Sequence, residues 1–167
     1  MKSNVKLLLG IILSSILVIG GFIFLNNKAA SETIPNVDVA GVEVSPSYYD
    51  LADVPIKGGI VSKEYKIKNV TDRTIKIKKV ATSCMCTTAK IKTSQKETGF
   101  FGMEGHGDRN PSINLELAPG EEALVIVNFD PAAHGPSGTG PFDRTIWLTF
   151  SDPGGVKELK FSGKVVS

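Results

Sequence analysis

Beyond position 38, apolar and polar residues alternate with a period of two, the pattern of strands that bury one face against a core. Within 63–69 (KEYKIKN), Tyr65 and Ile67 alternate with Glu64, Lys66 and Lys68; within 74–80 (TIKIKKV), Ile75 and Ile77 alternate with Lys76 and Lys78. Thr71, Asp72 and Arg73 form the short turn between these two adjacent strands. Ile113, Leu115 and Leu117 alternate again and run into Pro119-Gly120, a strong turn signal, from which a hairpin returns through 123–129 (ALVIVNF). That last stretch is apolar on both faces, as a central strand is. Two more strands, 144–150 (RTIWLTF) and 156–166 (VKELKFSGKVV), flank the turn Asp152-Pro153-Gly154-Gly155, while 39–44 and 60–61 supply the opening strand and the start of the second. No window of about 11 residues in this part carries a helical stripe. About seven short strands with turns between them predict an all-β fold, an antiparallel sandwich. Tyr65, Ile67, Ile75, Ile77, Leu115, Ile126, Ile146, Leu148 and Phe161 are the expected core.

The N-terminal pattern is different. Residues 7–25 (LLLGIILSSILVIGGFIFL) are uncharged and almost wholly apolar, long enough as a helix to cross the ~30 Å hydrocarbon core of a bilayer. A cleaved secretory signal has an apolar region of only about 7–15 residues, and a cut near Ala29 and Ala30 would place Asn27 or Lys28 where a small residue is wanted. The expectation is a retained anchor. Lys2 and Lys6 precede the span and only Lys28 lies close after it, which keeps the N-terminus in the cytoplasm. The expected organisation is a cytoplasmic N-terminus and transmembrane helix at 1–28, a tether at 29–37, and one domain at 38–167 outside the membrane, at the cell surface or in the periplasm.

Composition narrows the function classes. At 41% hydrophobic and 22% charged residues the chain is that of an ordinary globular protein. A net charge of +2 and a pI near 8.5 give no strongly basic face, so nucleic acid is not an expected partner. There is no Gly-x-Ser-x-Gly elbow and no phosphate loop. Asp108, Asp130, Asp143 and Asp152 lie at strand ends or in loops, the usual turn composition, so no enzyme is expected. Asn69-Val70-Thr71 matches a glycosylation sequon, for which an asparagine at a strand-to-turn junction is the simpler reading. Lys63, Lys66, Lys68, Lys76, Lys78 and Lys79 decorate solvent faces, which protects a sheet from edge pairing; a face resting on anionic headgroups or cell-wall polymer is the alternative, and the small net charge favours plain solvation.

Two Gly-rich stretches, 93–110 and 131–141, interrupt the strand rhythm, and long loops in a small domain tend to carry function. Among two cysteines, two histidines and three methionines in the whole chain, Cys84, Met85 and Cys86 open one irregular region, Met103 and His106 lie within it, and His134 lies in the other. In a sandwich whose third and fifth strands run the same way along the long axis, the loops at 82–111 and 131–142 emerge at the same end, provided that 87–92 is not itself a full crossing strand; the single-end arrangement is the expectation. Cys84, Cys86, His106 and His134, with Met103 as a further donor, would then suit Cu(I), or Zn(II) through two Cys and two His. In an extended segment Cys84 and Cys86 share a face. The same spacing allows a disulfide or buried structural thiols. A thiol redox role ranks last, because Ser83, Met85 and Thr87 supply neither a helix N-terminus nor a cationic neighbour.

The strand ending in Asn69, the strand 75–80, then Ser83-Cys84-Met85-Cys86-Thr87, Pro119-Gly120-Glu121, 125–130 (VIVNFD) and 159–165 with Gly163 follow one another in an order that resembles the bacterial domain-of-unknown-function family 1573. That family is in turn similar to the immunoglobulin-like ASH and Hydin domains. The resemblance covers roughly residues 38–166, and its most specific element is the Ser-Cys-x-Cys-Thr block followed by Pro-Gly-Glu. A glycine commonly stands between the family's cysteines, where this chain has Met85, and the Gly-rich loop after Thr93 is longer than usual. The resemblance implies an immunoglobulin-like fold and an extracytoplasmic address, with no established activity. The resulting expectation is a tethered, non-enzymatic binding or scaffold module for a protein or cell-envelope ligand, held to the membrane through 7–25. A copper- or zinc-binding protein is the first alternative and a thiol redox protein the second.

Overall fold

The computed structural model describes residues 37–105 and 110–167. The span expected at 7–25, the tether up to position 36 and His106 lie outside the described residues. Among those described, no helix is long and apolar enough to cross a membrane.

In chain order the strands are β1 (Val42–Ser45), β2 (Tyr48–Pro55), β3 (Val61–Asn69), β4 (Ile75–Thr82), β5 (Thr87–Lys92), β6 (Leu115–Leu117), β7 (Glu122–Phe129), β8 (Gly140–Asp152) and β9 (Gly154–Val166). They form a two-sheet β-sandwich: a four-stranded sheet in the order β1-β3-β7-β5 and a five-stranded sheet in the order β2-β9-β8-β4-β6. The pairing is antiparallel except between β2 and β9, which run parallel. No hairpin links those two strands, so nothing local imposes the antiparallel sense. The alternation does not announce β2, because most of its residues are exposed or half-buried at the sheet edge.

Two turns that read as local connections are corners between the sheets. β3 and β4 belong to opposite sheets, and so do β6 and β7. Their lysine faces are therefore not contiguous. Asn69 holds both corners. Fully buried, it donates from Nδ2 to the carbonyls of Arg73, Leu117 and Ala118, and its Oδ1 accepts from the Thr71 N–H and hydroxyl. Its backbone accepts from Gly120 N and donates to Glu121 O. Gly120 supplies the positive φ of 75° that this corner needs. An asparagine with its amide used in this way is not open to glycosylation.

The core lies between the sheets. Tyr65, Ile67, Ile75, Ile77, Leu115, Ile146, Leu148 and Phe161 are buried as expected, and Tyr65 bridges the sheets by donating its hydroxyl to Lys160 O at 2.7 Å. Burial pushes the pKa of that phenol well up. Ile126 departs from the expectation. The inward face of β7 is Ala123, Val125, Val127 and Phe129, which leaves Ile126 half-buried on the outer face. A strand apolar on both faces does not reveal its phase by period.

The segment 87–92 is a strand, β5, so the condition attached to the single-end arrangement fails. Cys84, Cys86 and His134 share one end nevertheless, because residues 97–103 undo the extra crossing. They return antiparallel along β5, with Lys92 opposite Glu97 and Ala89 opposite Phe101, and reach β4, where Met103 pairs beside Thr82. Backbone bonds between Ala89 and Phe101 in both directions, at 2.9 and 2.8 Å, and from Thr98 N to Ile91 O secure the return. The stretch that reads as an irregular loop thus covers the free edge of β5.

Ile77→Ala and Leu148→Ala are each expected to lower unfolding stability by about 2–5 kcal/mol in denaturant titration. Asn69→Ala, which removes the side-chain hydrogen bonds that hold both corners, is expected to cost about 1–3 kcal/mol. Wild-type midpoints for all three would contradict the packing described.

Candidate functional site

The crossing from β4 to β5 is the tight loop Ser83, Cys84, Met85 and Cys86, which passes from one sheet to the other and is held on both sides. Ser83 exchanges two bonds with β8, from its N–H to Thr145 O and from Thr145 N to its Oγ, both 2.9 Å. Asp130 N, just past β7, donates to Cys86 O at 2.9 Å. Within the loop Thr87 N donates to Cys84 O, and the buried Thr82 hydroxyl donates to the carbonyls of Cys84 and Thr87. The loop is seated before any crosslink is considered.

Cys84 and Cys86 are joined by a disulfide, their Cα atoms 5.2 Å apart. Cys86 is the more deeply buried, at 3% exposure against 9% for Cys84, while Met85 between them projects to solvent. Because β5 and β7 pair with Thr87 opposite Phe129, the loop after β7 begins beside the cysteines. That loop is turned by Asp130, whose Oδ1 accepts from Ala132 N, and continues into a 3-10 turn at Gly135–Gly138. His134, immediately before the turn and exposed, stands with Nε2 3.2 Å from Cys84 Sγ. Gly138 makes this seat possible: a Cβ there would lie 2.9 Å from the His134 Cβ.

The other sulfur meets a cation. Arg144, near the start of β8, donates from Nε to Cys86 Sγ at 3.1 Å and from Nη1 to Asp143 O at 2.8 Å. Its guanidinium carbon lies 5.6 Å from the centre of the Phe142 ring, which stacks at 4.5 Å on Phe129 and meets Phe161 edge-on. Phe142 fits because Gly163 opposite carries no side chain; a Cβ there would come within 2.9 Å of its ring. Partial burial lowers the pKa of Arg144 and Asp143 opposes the shift, but a guanidinium stays charged.

Of the residues singled out from the sequence, Cys84, Cys86 and His134 come together, with their ligating atoms all within 4.8 Å of one another. Met103 is half-buried beside Thr82, two residues before Cys84, and His106 lies outside the described residues. Sequence reasoning missed Arg144. Its one signal is topological: β8 starts at the end where β7 finishes, so its first charged residues flank the same loops.

Residues 42–102 match the family described as a protein of unknown function, DUF1573. The matched region contains both cysteines and stops short of His134 and Arg144. A protein of unknown function from Porphyromonas gingivalis W83 is 18% identical over 81% of this chain with a TM-score of 0.53, and this chain spans only 51% of that one. The ASH/PapD-like domain of human CEP192 is 14% identical, with 76% of this chain and 86% of that one covered and a TM-score of 0.45. The secreted serine protease VesC from Vibrio cholerae is 13% identical, with 75% of this chain but 23% of that one covered and a TM-score of 0.48. At these identities the likeness is one of fold. No curated protein matches the sequence significantly.

Full-length protein purified without reductant is expected to show no free thiol on denaturation, and two after reduction, by thiol titration. Two free thiols before reduction would contradict the disulfide.

Proposed function

We propose that the protein is a membrane-tethered, extracytoplasmic module whose working group is the Cys84–Cys86 pair, exchanging between disulfide and dithiol with partner thiols. The observation that carries this reading is the Arg144 Nε to Cys86 Sγ contact at 3.1 Å. The neighbours in sequence give the cysteines no cation, but a distant strand gives Cys86 a permanent one, and a cation beside sulfur favours thiolate, the reactive species in exchange. His134 at Cys84 adds a second polar neighbour. The bond also has little structural task. A crosslink between residues two apart removes little entropy from the unfolded chain, and the loop is already pinned to β7 and β8. Placement outside the membrane, for which the apolar stretch 7–25 argues, suits the reading, since disulfides persist outside the cytoplasm.

The three clustered donors favour a second reading. With the pair reduced, Cys84, Cys86 and His134 would hold a thiophilic ion, Cu(I) ahead of Zn(II). Arg144 weighs against it: its donor already engages Cys86, and its charge serves a bare thiolate better than one neutralised by a metal. Should the pair prove inert, a tethered binding or scaffold module is the remaining reading.

In metal-free glutathione buffers the full-length protein in detergent is expected to interconvert reversibly between dithiol and disulfide, with its far-ultraviolet dichroism unchanged. A pair that stays oxidised, or whose reduction unfolds the domain, would refute the exchange reading. In Cu(I) competition with a chromogenic chelator, tight binding by the reduced protein that is lost in Cys84→Ser/Cys86→Ser would favour the metal reading.

A further inference from the structure

We infer that exchange at this pair has a direction: partners attack Cys84, Cys86 departs as a thiolate held by Arg144, and the substrates are reduced dithiol segments of other extracytoplasmic proteins. The inference rests on the exchange reading above and adds the order of events and the class of substrate. Thiol–disulfide exchange has an attacked sulfur and a leaving sulfur, and its rate depends on access to the first and on how well the second carries negative charge. The two cysteines differ in both respects: Cys84 Sγ accepts the neutral Cys86 N–H at 3.3 Å and has His134 beside it, whereas Cys86 Sγ receives a cation. Cys84 is the more exposed, beside solvent-facing Met85 and exposed His134. Cys86, in the same loop, is the more deeply buried, and its sulfur receives Arg144 Nε and stands 3.6 Å from the Thr87 hydroxyl. Arg144 is itself fixed by the Asp143 carbonyl and the Phe142 ring, so it does not reorganise when charge appears on the sulfur.

A partner thiolate bonds to Cys84 Sγ, the Cys84–Cys86 bond breaks, and its electron pair goes to Cys86 Sγ. The partner's second thiolate then attacks the partner sulfur of the mixed disulfide and releases Cys84 as a thiolate. The partner leaves with a new disulfide, having lost two electrons, and the pair has gained them; the partner's thiol protons end on the two cysteines or in solvent. Another disulfide of the compartment re-oxidises the pair by the same exchange in reverse. Stabilising the reduced form makes a pair more oxidising, which is why dithiols are its substrates.

The test uses full-length protein in detergent. Equilibration with glutathione is expected to show Arg144→Gln shifted toward the disulfide by about tenfold, or about 30 mV for a two-electron couple, with Arg144→Lys between it and the wild type. With reduced glutathione as the probe, the oxidised protein is expected to capture it at Cys84 about tenfold faster than at Cys86, read by acid quench and fragmentation mass spectrometry of the mixed disulfide. Unchanged equilibrium in a folded Arg144→Gln, or faster capture at Cys86, would overturn the directional inference while leaving exchange standing. A wild-type pair that glutathione does not reduce would instead remove the exchange reading on which the inference rests.

Discussion

The site depends on the antiparallel pairing of β5 with β7, which sets Thr87 opposite Phe129. That register places the residues just before β5 next to those just after β7, and so brings Cys84 and Cys86 to the loop that carries His134. It survives because the chain makes an even number of passes between them. β5 runs away from the cysteine end, 97–103 return to it, β6 leaves again, and β7 comes back. If 97–103 did not lie along β5, β7 would finish at the far end and the sulfurs would face no histidine.

A second dependence links the site to the core. Phe129, Phe142 and Phe161 come from β7, β8 and β9 and pack with ring centres 4.5–6.0 Å apart. Such pairs add about 0.5–1.5 kcal/mol each beyond the area they bury. Phe142 also underlies Arg144, so the position of the guanidinium is set by core packing rather than by a flexible loop. The open recess of about 450 Å3 beside Asp38, Ser47 and Val156 lies toward the opposite end of the sandwich, where β9 begins, and has no part in this chemistry.

The sequence discloses what is local. Strands such as β3 and β4 announce themselves because one face meets the core and the other meets water, so Tyr65 and Ile77 alternate with lysines. The sheet to which each belongs is not disclosed, because Asn69 and Gly120 make corners from the same residue types that make hairpins. Edge strand β2 buries too little to leave a pattern, and Ile126 misleads because β7 is apolar on both faces. At the site, Cys84, Cys86 and His134 were legible as chemistry and their meeting as topology, although the crossing of β5 had to be offset by a segment without strand periodicity. Arg144 was not legible as a sulfur partner. It lies in a strand that reads as ordinary, and its contact arises only from the pairing of β8 beside the crossing loop.

The proposed exchange requires that the disulfide open and close in a loop whose fold does not need it. Comparison of the backbone amide NMR spectra of the oxidised and reduced full-length protein tests that requirement most directly. Shifts confined to residues 82–87, 130–134 and 142–145 are expected, with the rest of the sandwich unchanged. Shifts or broadening spread across both sheets on reduction would show that the bond is structural and would contradict it.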